Sequence, residues 1–397
     1  DPETSIYFTT DGRRPDPLIG TLYQGPFTIG KTTILRAVTL REGWRPSTVT
    51  TRSFLFPRDI ATQSVSSEIM KPFPDRWGGQ PADYGMDPRV VAPNRQDAYR
   101  GRYADSIQED LLAIPSLSLV MDPEDWFGGQ GIYANPTARS SAWDAWERAV
   151  SVEWLDPDRA EGFQIDAGIK IQGGAFRNFG LTLKKSFRLM FKDPYGPTKL
   201  AFPVFGESAT DRFDNLVLRA NGNDAWPYAG GSALYVRDAF AMETARAMGM
   251  VAPHTRFVHL YLNGAYWGLY NLVERPDAAF SSAYHGGDKD DWDALNQDSV
   301  PDGTREAWNR LLSLLNQGMA DDASFFRIQG RDALGHRDPE MENLLDVENL
   351  IDYCLLNFFI GNRDWPGRNH WYGRDRTGSQ GFQFYPWDSE TAMGLGS

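Results

Sequence analysis

The sequence contains very little cysteine or histidine and no long apolar segment. Its 397 residues include one cysteine, Cys354, and five histidines. A single thiol excludes a disulfide within the chain, and its place in the apolar run 350–359 favours a buried structural residue over a nucleophile. The histidines lack His-x-x-x-His spacing, so a zinc hydrolase has little support. No segment approaches the roughly 18 apolar residues of a membrane-spanning helix, and we expect no transmembrane segment.

The chain also lacks an excess of basic residues. Lys and Arg total 40 against 53 Asp and Glu, for a formal net charge of -13. Binding to the backbone of nucleic acid requires a basic surface, so we expect no nucleic-acid partner. Neither Walker A spacing nor a Gly-x-Ser-x-Gly motif is present, which argues against a P-loop enzyme and against a serine hydrolase of that type.

The first 56 residues have the pattern of an all-β module. Residues 6–10, 33–40 and 49–56 are rich in strand formers, and Asp11-Gly12 between the first two is a turn signal. Strands of this length and spacing predict a small Ig-like sandwich. The segment resembles the β-sandwich module at the C-terminus of chitobiase-type (β-hexosaminidase) enzymes, which is usually an accessory or spacer.

Residues 57–114 predict a connector, and residues 115–397 a main domain that mixes strands and helices. We expect the connector to be ordered, because Trp77, Tyr84 and Met86 are unusual in flexible linkers. In the main domain, Asn263-Gly264 predicts a hairpin between strands 257–262 and 266–273. A helix over 346–359 has Asp346 as its N-cap, and its apolar second half predicts burial.

Three polar residues follow that helix in an order that suits phosphoryl transfer. Asp364 lies in a loop, Asn369 begins a strand, and Asp388 follows the returning strand 382–385. A hairpin brings its ends together, so Asn369 and Asp388 should lie within a few ångströms and hold Mg²⁺ through hard oxygen ligands. Asp364 would then accept the proton of an attacking hydroxyl. Glu390 is either a further ligand or a surface charge.

A structural interpretation stays open for each of the three residues. Asp364 would cap a turn, Asn369 would tolerate an awkward backbone angle, and Asp388 would be a solvated carboxylate at the end of a strand. Their order around one predicted hairpin favours the functional interpretation. Asp388 and Glu390 are too close along one extended segment to flank a bond as a glycosidase pair.

Phosphoryl transfer also requires cations near the phosphates. A strand predicted over 181–191 follows the Gly-rich turn at Gly173-Gly174, and alternation places Lys184 and Arg188 on one of its faces. Glu274, at the end of the second hairpin, could pair with Lys184 or be a surface carboxylate. A Gly-rich hairpin that leads into a strand with a lysine is how kinases cover ATP.

These stretches together resemble the spore coat protein H (CotH) kinase family of secreted or envelope-associated atypical protein kinases. The resemblance implies Asp364 as the catalytic aspartate, Asn369 and Asp388 as metal ligands, and Lys184 with Glu274 on the phosphate side. Two departures are Gln172 and Gly174, where many members have a Gly flanked by Arg and Asn, and Glu390 in place of a common Asp. The matching residues are 167–174, 184–189, 218–224, 236–238, 262–270, Glu274, 362–365, Asn369 and 386–388.

The sequence therefore predicts an α+β, atypical protein-kinase-like domain behind an all-β module. Its expected activity is transfer of phosphate from ATP, with Mg²⁺ or Mn²⁺, to Ser or Thr of an extracellular or envelope protein. The alternatives are a non-catalytic adhesion or carbohydrate-contacting protein, suggested by the β-module and a Trp-rich surface, and a kinase of small molecules or glycans. We expect the chain to be a fragment, because it starts without Met inside a strand-like segment.

Overall fold

The computed structural model describes residues 3–91, 100–138, 146–158 and 161–394. The chain divides into two compact units. Unit 1 consists of Asp1–Phe202, Asp214–Ala220 and Phe257–Leu272, and unit 2 of Pro203–Phe213, Asn221–Arg256 and Val273–Ser397. Strands and helices both occur and the N-terminal region is rich in strands, so the protein is of the predicted α+β class.

Strands occur in both units. In chain order they are β1 (Thr4–Thr9), β2 (Thr21–Leu22), β3 (Thr33–Arg41), β4 (Thr50–Phe54), β5 (Arg76–Trp77), β6 (Gln80–Pro81), β7 (Ser116–Val120), β8 (Arg148–Leu155), β9 (Phe163–Gln172), β10 (Ser186–Met190), β11 (Leu200–Ala201), β12 (Arg212–Phe213), β13 (Asn215–Arg219), β14 (Thr255–Leu262), β15 (Ala265–Val273), β16 (Trp292–Asn296), β17 (Ser299–Asp302), β18 (His370–Asp375) and β19 (Gln383–Pro386).

The α-helices and the short 3₁₀ turns complete the structure. The α-helices are α1 (Pro57–Ala61), α2 (Pro88–Val91), α3 (Arg102–Asp110), α4 (Pro123–Phe127), α5 (Trp226–Ala229), α6 (Arg237–Ala247), α7 (Ala278–His285), α8 (Glu306–Asn316), α9 (Asp322–Arg327) and α10 (Val347–Ile360). The 3₁₀ turns are Glu68–Met70, Ala175–Arg177, Gly230–Ser232, Lys289–Asp291 and Ser389–Thr391. Within the described ranges, no helix is long and apolar enough to cross a membrane.

The N-terminal strands form one antiparallel sheet in the order β2-β1-β3-β4. The predicted sandwich is wrong for this segment, because β2 has only two residues and the remaining strands are too few for two facing sheets. The sheet is joined to the rest of unit 1 at β4, where the N–H of Ser53 donates to Oε2 of Glu153 at 2.7 Å. The Ser53 and Ser118 hydroxyls lie 2.8 Å apart.

The segment after the sheet is ordered where the structure describes it. Trp77 and Tyr84 are buried, and their rings lie 5.0 Å apart in an edge-on arrangement. Both pack against Trp267 of β15, with ring centroids at 5.1 and 5.9 Å. These two residues are thus packed against β15, and the assignment of 57–114 as a connector stays a prediction; residues 92–99 fall outside the described ranges.

Seven strands of unit 1 close into a barrel in the order β10-β13-β15-β14-β7-β8-β9. Phe187 of β10 lies between Ile171 of β9 and Leu218 of β13 in register, and all three are buried. The Asn263-Gly264 turn has left-handed backbone at both positions (φ 46° and 82°), as a two-residue hairpin of type I′ requires. This hairpin of β14 and β15 is confirmed.

Strand β10 is shorter than predicted. It begins at Ser186, so Lys184 and Lys185 precede it and the alternation argument does not apply to Lys184. The cause lies in the preceding loop, where the buried ammonium of Lys185 donates to the C=O of Thr182 at 2.6 Å and to the C=O of Phe176 at 3.2 Å. These bonds hold the loop in a turn instead of an extended strand.

Unit 2 contains the sheet β17-β16-β18-β19, packed against helices. Strand β16 lies inside this sheet, and Asp293 on it is fully buried. Its carboxylate is paired with Arg376 at 2.7 Å, which compensates the burial of charge.

Helix α10 is only partly buried. Tyr353, Leu356 and Ile360 belong to the core of unit 2, but Phe358 and Phe359 are 70% and 73% exposed. The prediction of a buried second half is therefore wrong, because apolar residues occur around the helix and only one face packs. Cys354 is half-buried on this helix, and burial raises its pKa, which disfavours a nucleophilic thiolate.

Candidate active site

Asp364 lies in the loop that follows helix α10. The carboxylate of Asp346 caps the helix by accepting a hydrogen bond from the N–H of Asn349 at 2.9 Å, as predicted. Gly361 ends it with left-handed backbone (φ 59°), which glycine adopts at little cost. The chain then turns, and the N–H of Arg368 donates to the C=O of Asp364 at 2.9 Å. The loop thus places Asp364 between α10 and β18.

The β18–β19 hairpin brings Asn369 next to Asp388. His370 pairs with Pro386 at the open end of the hairpin, so the residues just outside this pair are neighbours. Nδ2 of Asn369 donates to the C=O of Asp388 at 3.2 Å and to Oδ2 of Asp364 at 3.4 Å. The predicted proximity is confirmed, and the three half-buried residues form one cluster.

Asn369 and Asp388 share an unusual backbone conformation. Their φ angles are 61° and 58°, in the left-handed region that side chains other than glycine seldom occupy. Apart from glycine, Asn and Asp tolerate this conformation best. Asn369 therefore does have the awkward backbone angle that the structural interpretation predicted. Two adjacent residues of this kind are typical of a site whose surroundings impose the strain.

Glu390 is not the surface charge that the sequence left open. Its side chain is 4% exposed, and Oε2 accepts a hydrogen bond from the N–H of Asn223 at 2.8 Å. Its role as a metal ligand stays a prediction. The residue between Asp388 and Glu390, Ser389, donates its N–H to Oδ1 of Asp238 on helix α6 at 2.8 Å. The carboxylates of Glu390 and Asp238 therefore fix the chain directly after Asp388.

The cluster offers oxygen donors of the kind that Mg²⁺ binds. Asp364 and Asp388 supply carboxylates, and Asn369 retains its amide oxygen because its nitrogen makes both hydrogen bonds. Among the described residues, no group of three or more His, Cys, Asp or Glu side chains is arranged to hold a metal. A site with few protein ligands suits Mg²⁺, which keeps water and substrate phosphate in its shell. The donor set thus fits a metal that the nucleotide helps to bind.

Lys184 lies among aromatic rings in unit 1. Its ammonium is 4.0 Å from the ring centroid of Trp267 and 5.3 Å from that of Trp77. Burial lowers the pKa of Lys184 to about 8, and the negative charge of Asp83 raises this pKa only in part. Its described contacts include no ion pair, and its charge is instead placed against the faces of two aromatic rings.

Arg188 and Lys185 lie close to Lys184 in sequence but differ in setting. Arg188 is half-buried on β10, in register with Lys170 of β9 and Val217 of β13. Lys185 is fully buried, with its ammonium 4.2 Å from the ring centroid of Phe179, and burial lowers its pKa to about 7. The role of Arg188 toward a nucleotide stays a prediction.

Glu274 is buried in unit 2 with three donors around its carboxylate. Oε2 accepts from the N–H of His254 at 2.8 Å and lies 2.9 Å from its Nδ1, and Oε1 accepts from the Tyr284 hydroxyl at 2.7 Å. Burial, followed by the charge of Glu274, raises the pKa of Tyr284. The surface-carboxylate alternative is wrong for Glu274, which is 3% exposed, whereas its pairing with Lys184 stays a prediction.

A separate cavity of about 600 Å³ opens in unit 1. Its walls come from β4, α1, the end of α3, β8 and β9, with Glu153 and Trp154 among the lining side chains. None of the candidate site residues predicted from the sequence lines this cavity, so it is not part of the candidate active site.

Sequence reasoning assigned no role to Asp238, His254 or Tyr284, which the structure places in contact with candidate residues or their neighbours. Asp238 lies in the stretch 236–238 that carries the family resemblance, which was the only available signal. His254 and Tyr284 lie 20 and 10 residues from Glu274, and no local pattern connects them to it. Their association depends on tertiary packing.

The fold and the cluster define an α+β protein with a metal-suited group of two carboxylates and one amide at the open end of a hairpin. Residues 169–397, more than half of the chain, match the model of the CotH kinase protein family, and the chain belongs to this family. Residues 1–54 match the Fn3 associated model, and this match does not name the chitobiase-type module that the sequence resembles. A search of curated proteins gives no match to the chain.

Proposed function

We propose that this protein is an ATP- and metal-dependent phosphotransferase that phosphorylates Ser or Thr of a protein substrate. The observation that carries the proposal is the contact of Asp364, Asn369 and Asp388 in one half-buried cluster. Membership of the CotH kinase protein family supports it independently. The proposed fold is accordingly that of an atypical protein kinase.

Each member of the cluster has a proposed role. Asp364 accepts the hydrogen bond of the attacking hydroxyl and takes its proton, while the Asn369 amide holds its second oxygen in place. Asp388 and the amide oxygen of Asn369 would hold Mg²⁺ or Mn²⁺. When bound, such a metal would supply charge neutralisation for the transferred phosphoryl group.

The nucleotide side of the proposal rests on Lys184, Arg188 and Glu274. Lys184 and Arg188 supply cations for the phosphates, and the family resemblance assigns Glu274 to the same side. A lysine whose pKa is lowered to about 8 is still mostly charged at pH 7, so it retains the charge that the role requires. A secreted or envelope-associated location completes the proposal.

The proposal is tested by phosphate incorporation from labelled ATP into the protein itself and into casein, with Mg²⁺ or Mn²⁺. Asp364→Asn and Asp388→Asn should each lower the rate by about 100-fold or more, since they remove a general base and a metal ligand. Asp388→Asn should also raise the Mg²⁺ concentration for half-maximal rate. Asp298→Asn is the matched control, because this carboxylate is 99% exposed.

Full activity of both cluster variants, with circular dichroism spectra like that of the parent, would overturn the assignment. A rate that is equal with and without divalent metal would overturn the metal part alone. If Asp298→Asn lost as much activity as the cluster variants, the effect would belong to the substitution type and not to the site.

The non-catalytic alternative is weakened by the placement of tryptophan. The sequence suggested a Trp-rich surface, but most described tryptophans are buried, and among them only Trp44 and Trp226 are exposed, at 70% and 42%. Titration with a fluorescent ATP analogue in Mg²⁺ separates the two functions, because an adhesion protein would have no metal-dependent affinity for the nucleotide.

A further inference from the structure

Three pairs of consecutive residues are linked into a closed ring in unit 2, which we call the anchor ring: Asn223-Asp224, Arg237-Asp238 and Ser389-Glu390. Asp224 forms an ion pair with Arg237. Oδ1 of Asp238 accepts the N–H of Ser389, and Oε2 of Glu390 accepts the N–H of Asn223, each at 2.8 Å. Each side of the ring thus contains one carboxylate.

The anchor ring is withdrawn from solvent. Asp224, Arg237, Asp238, Ser389 and Glu390 are all between 1% and 4% exposed. Hydrogen bonds from a backbone N–H to a buried carboxylate are among the stronger ones in proteins, since one partner is charged and water does not compete. The ring is therefore a rigid element.

The position of Asp388 gives the ring its significance. Asp388 directly precedes Ser389 and has left-handed backbone, a conformation that surrounding structure must impose. Two of the three sides of the ring end on Ser389 and Glu390, so they fix the chain that leaves Asp388. The third side is the ion pair between Asp224 and Arg237. It connects the segment of Asn223 to the segment of Asp238, which are the partners of Glu390 and Ser389.

We propose that Asp238 and Glu390 are positioning residues, which hold the backbone of Asp388 and hence the direction of its carboxylate. In this arrangement Glu390 acts through Asn223 and is not a metal ligand. The proposal deepens the proposed phosphotransferase function and depends on it for the activity measurements below, but not for the amide-exchange measurement.

The first experiment separates positioning from metal binding at Glu390. Gln at this position keeps an acceptor oxygen for the N–H of Asn223 but removes the charge that a ligand would contribute. Glu390→Gln should change the Mg²⁺ concentration for half-maximal rate by less than about threefold, while Glu390→Ala should lower kcat at least about tenfold. A shift of about tenfold or more in Glu390→Gln, like that of Asp388→Asn, would identify a ligand and overturn the proposal.

The second experiment measures hydrogen exchange of the Ser389 and Asn223 amides by NMR, with Asp238→Ala, Asp238→Asn and the control Asp298→Asn. Removal of the acceptor should speed exchange of the Ser389 amide by about tenfold or more, and Asn should restore most of the protection. Equal protection in Asp238→Ala and the parent would overturn the proposal. Protection that depends on Asp238 in a protein without kinase activity would support the ring and refute the phosphotransferase function.

Discussion

Among single residues, Asn369 combines a candidate ligand with a strained backbone. We expect Asn369→Gly and Asn369→Ala both to abolish metal-dependent phosphoryl transfer, because each removes the amide. Their stabilities should differ, since glycine adopts φ of 61° freely while alanine loses roughly 1–2 kcal/mol there. Denaturant unfolding of the two variants measures this difference.

The paired variants also provide their own control. Both lose the same hydrogen bonds to Asp364 and Asp388, so the difference in their free energies of unfolding reports the backbone alone. Equal stability of Asn369→Gly and Asn369→Ala would contradict the left-handed conformation.

The sequence predicted individual residues well where a local rule decides and poorly where packing decides. Asp346 as a helix cap and Gly264 in a hairpin follow from rules that act over a few residues. Glu390 could not be placed, because its partner Asn223 is 167 residues away. For a carboxylate two residues from a candidate ligand, the sequence does not indicate whether it binds the metal or holds the backbone in place.

Among the elements, α10 has one packed face and one exposed apolar face. Leu356 is fully buried in the core of unit 2, and Leu356→Ala should cost about 2–5 kcal/mol of unfolding free energy through the cavity that it leaves. Phe359→Ser should change stability by less than about 0.5 kcal/mol, because its ring is already in water. Thermal and urea unfolding check both values.

The contrast between these two variants tests the orientation of α10. A loss in Phe359→Ser as large as that in Leu356→Ala would mean that Phe359 is covered in the folded protein. The helix itself was predicted almost to the residue, but apolar composition alone could not indicate which face packs.

The hairpins were predictable and the N-terminal fold was not. Strands β18 and β19 flank a turn, so the hairpin could be predicted from the sequence, and it places Asn369 beside Asp388. The N-terminal segment has equally good strand patterns, yet a strand pattern does not say whether a second sheet faces the first. One sheet is what residues 3–56 form.

At the scale of the whole molecule, two lysines with lowered pKa values make stability depend on pH. The folded-state pKa values of Lys184 and Lys185 are lowered from 10.5 to about 8 and about 7. The unfolded chain therefore binds more protons between about pH 7 and 10.5, and the free energy of unfolding should rise with pH across this window. Each lysine contributes at most about 1.4 kcal/mol per pH unit.

Denaturant unfolding at pH 7, 8 and 9 measures this dependence. Lys185→Met should flatten the rise, and Lys71→Met should leave it unchanged because the Lys71 side chain is 69% exposed. Identical pH profiles for Lys185→Met and the parent would show that the ammonium of Lys185 is solvated in the folded state.

The family match and the structural units divide the chain at different places. The match to the CotH kinase protein model begins at residue 169, within β9. The barrel also contains β7 and β8, which precede that residue. A protein that began at 169 would leave β14 and the rest of β9 as open sheet edges, so the structural unit is larger than the matched segment.

The anchor ring has a consequence for how the protein is made. Asn223 emerges from the ribosome 167 residues before Glu390, the partner of its N–H. Until Ser389 and Glu390 have been synthesised, the segment around Asn223 and the start of α6 lack the contacts that complete their burial. The turn at Asp388 can therefore be fixed only after Glu390 has been synthesised. A nascent chain that stalls between β15 and Glu390 would contain every strand of the barrel but would lack a fixed candidate site.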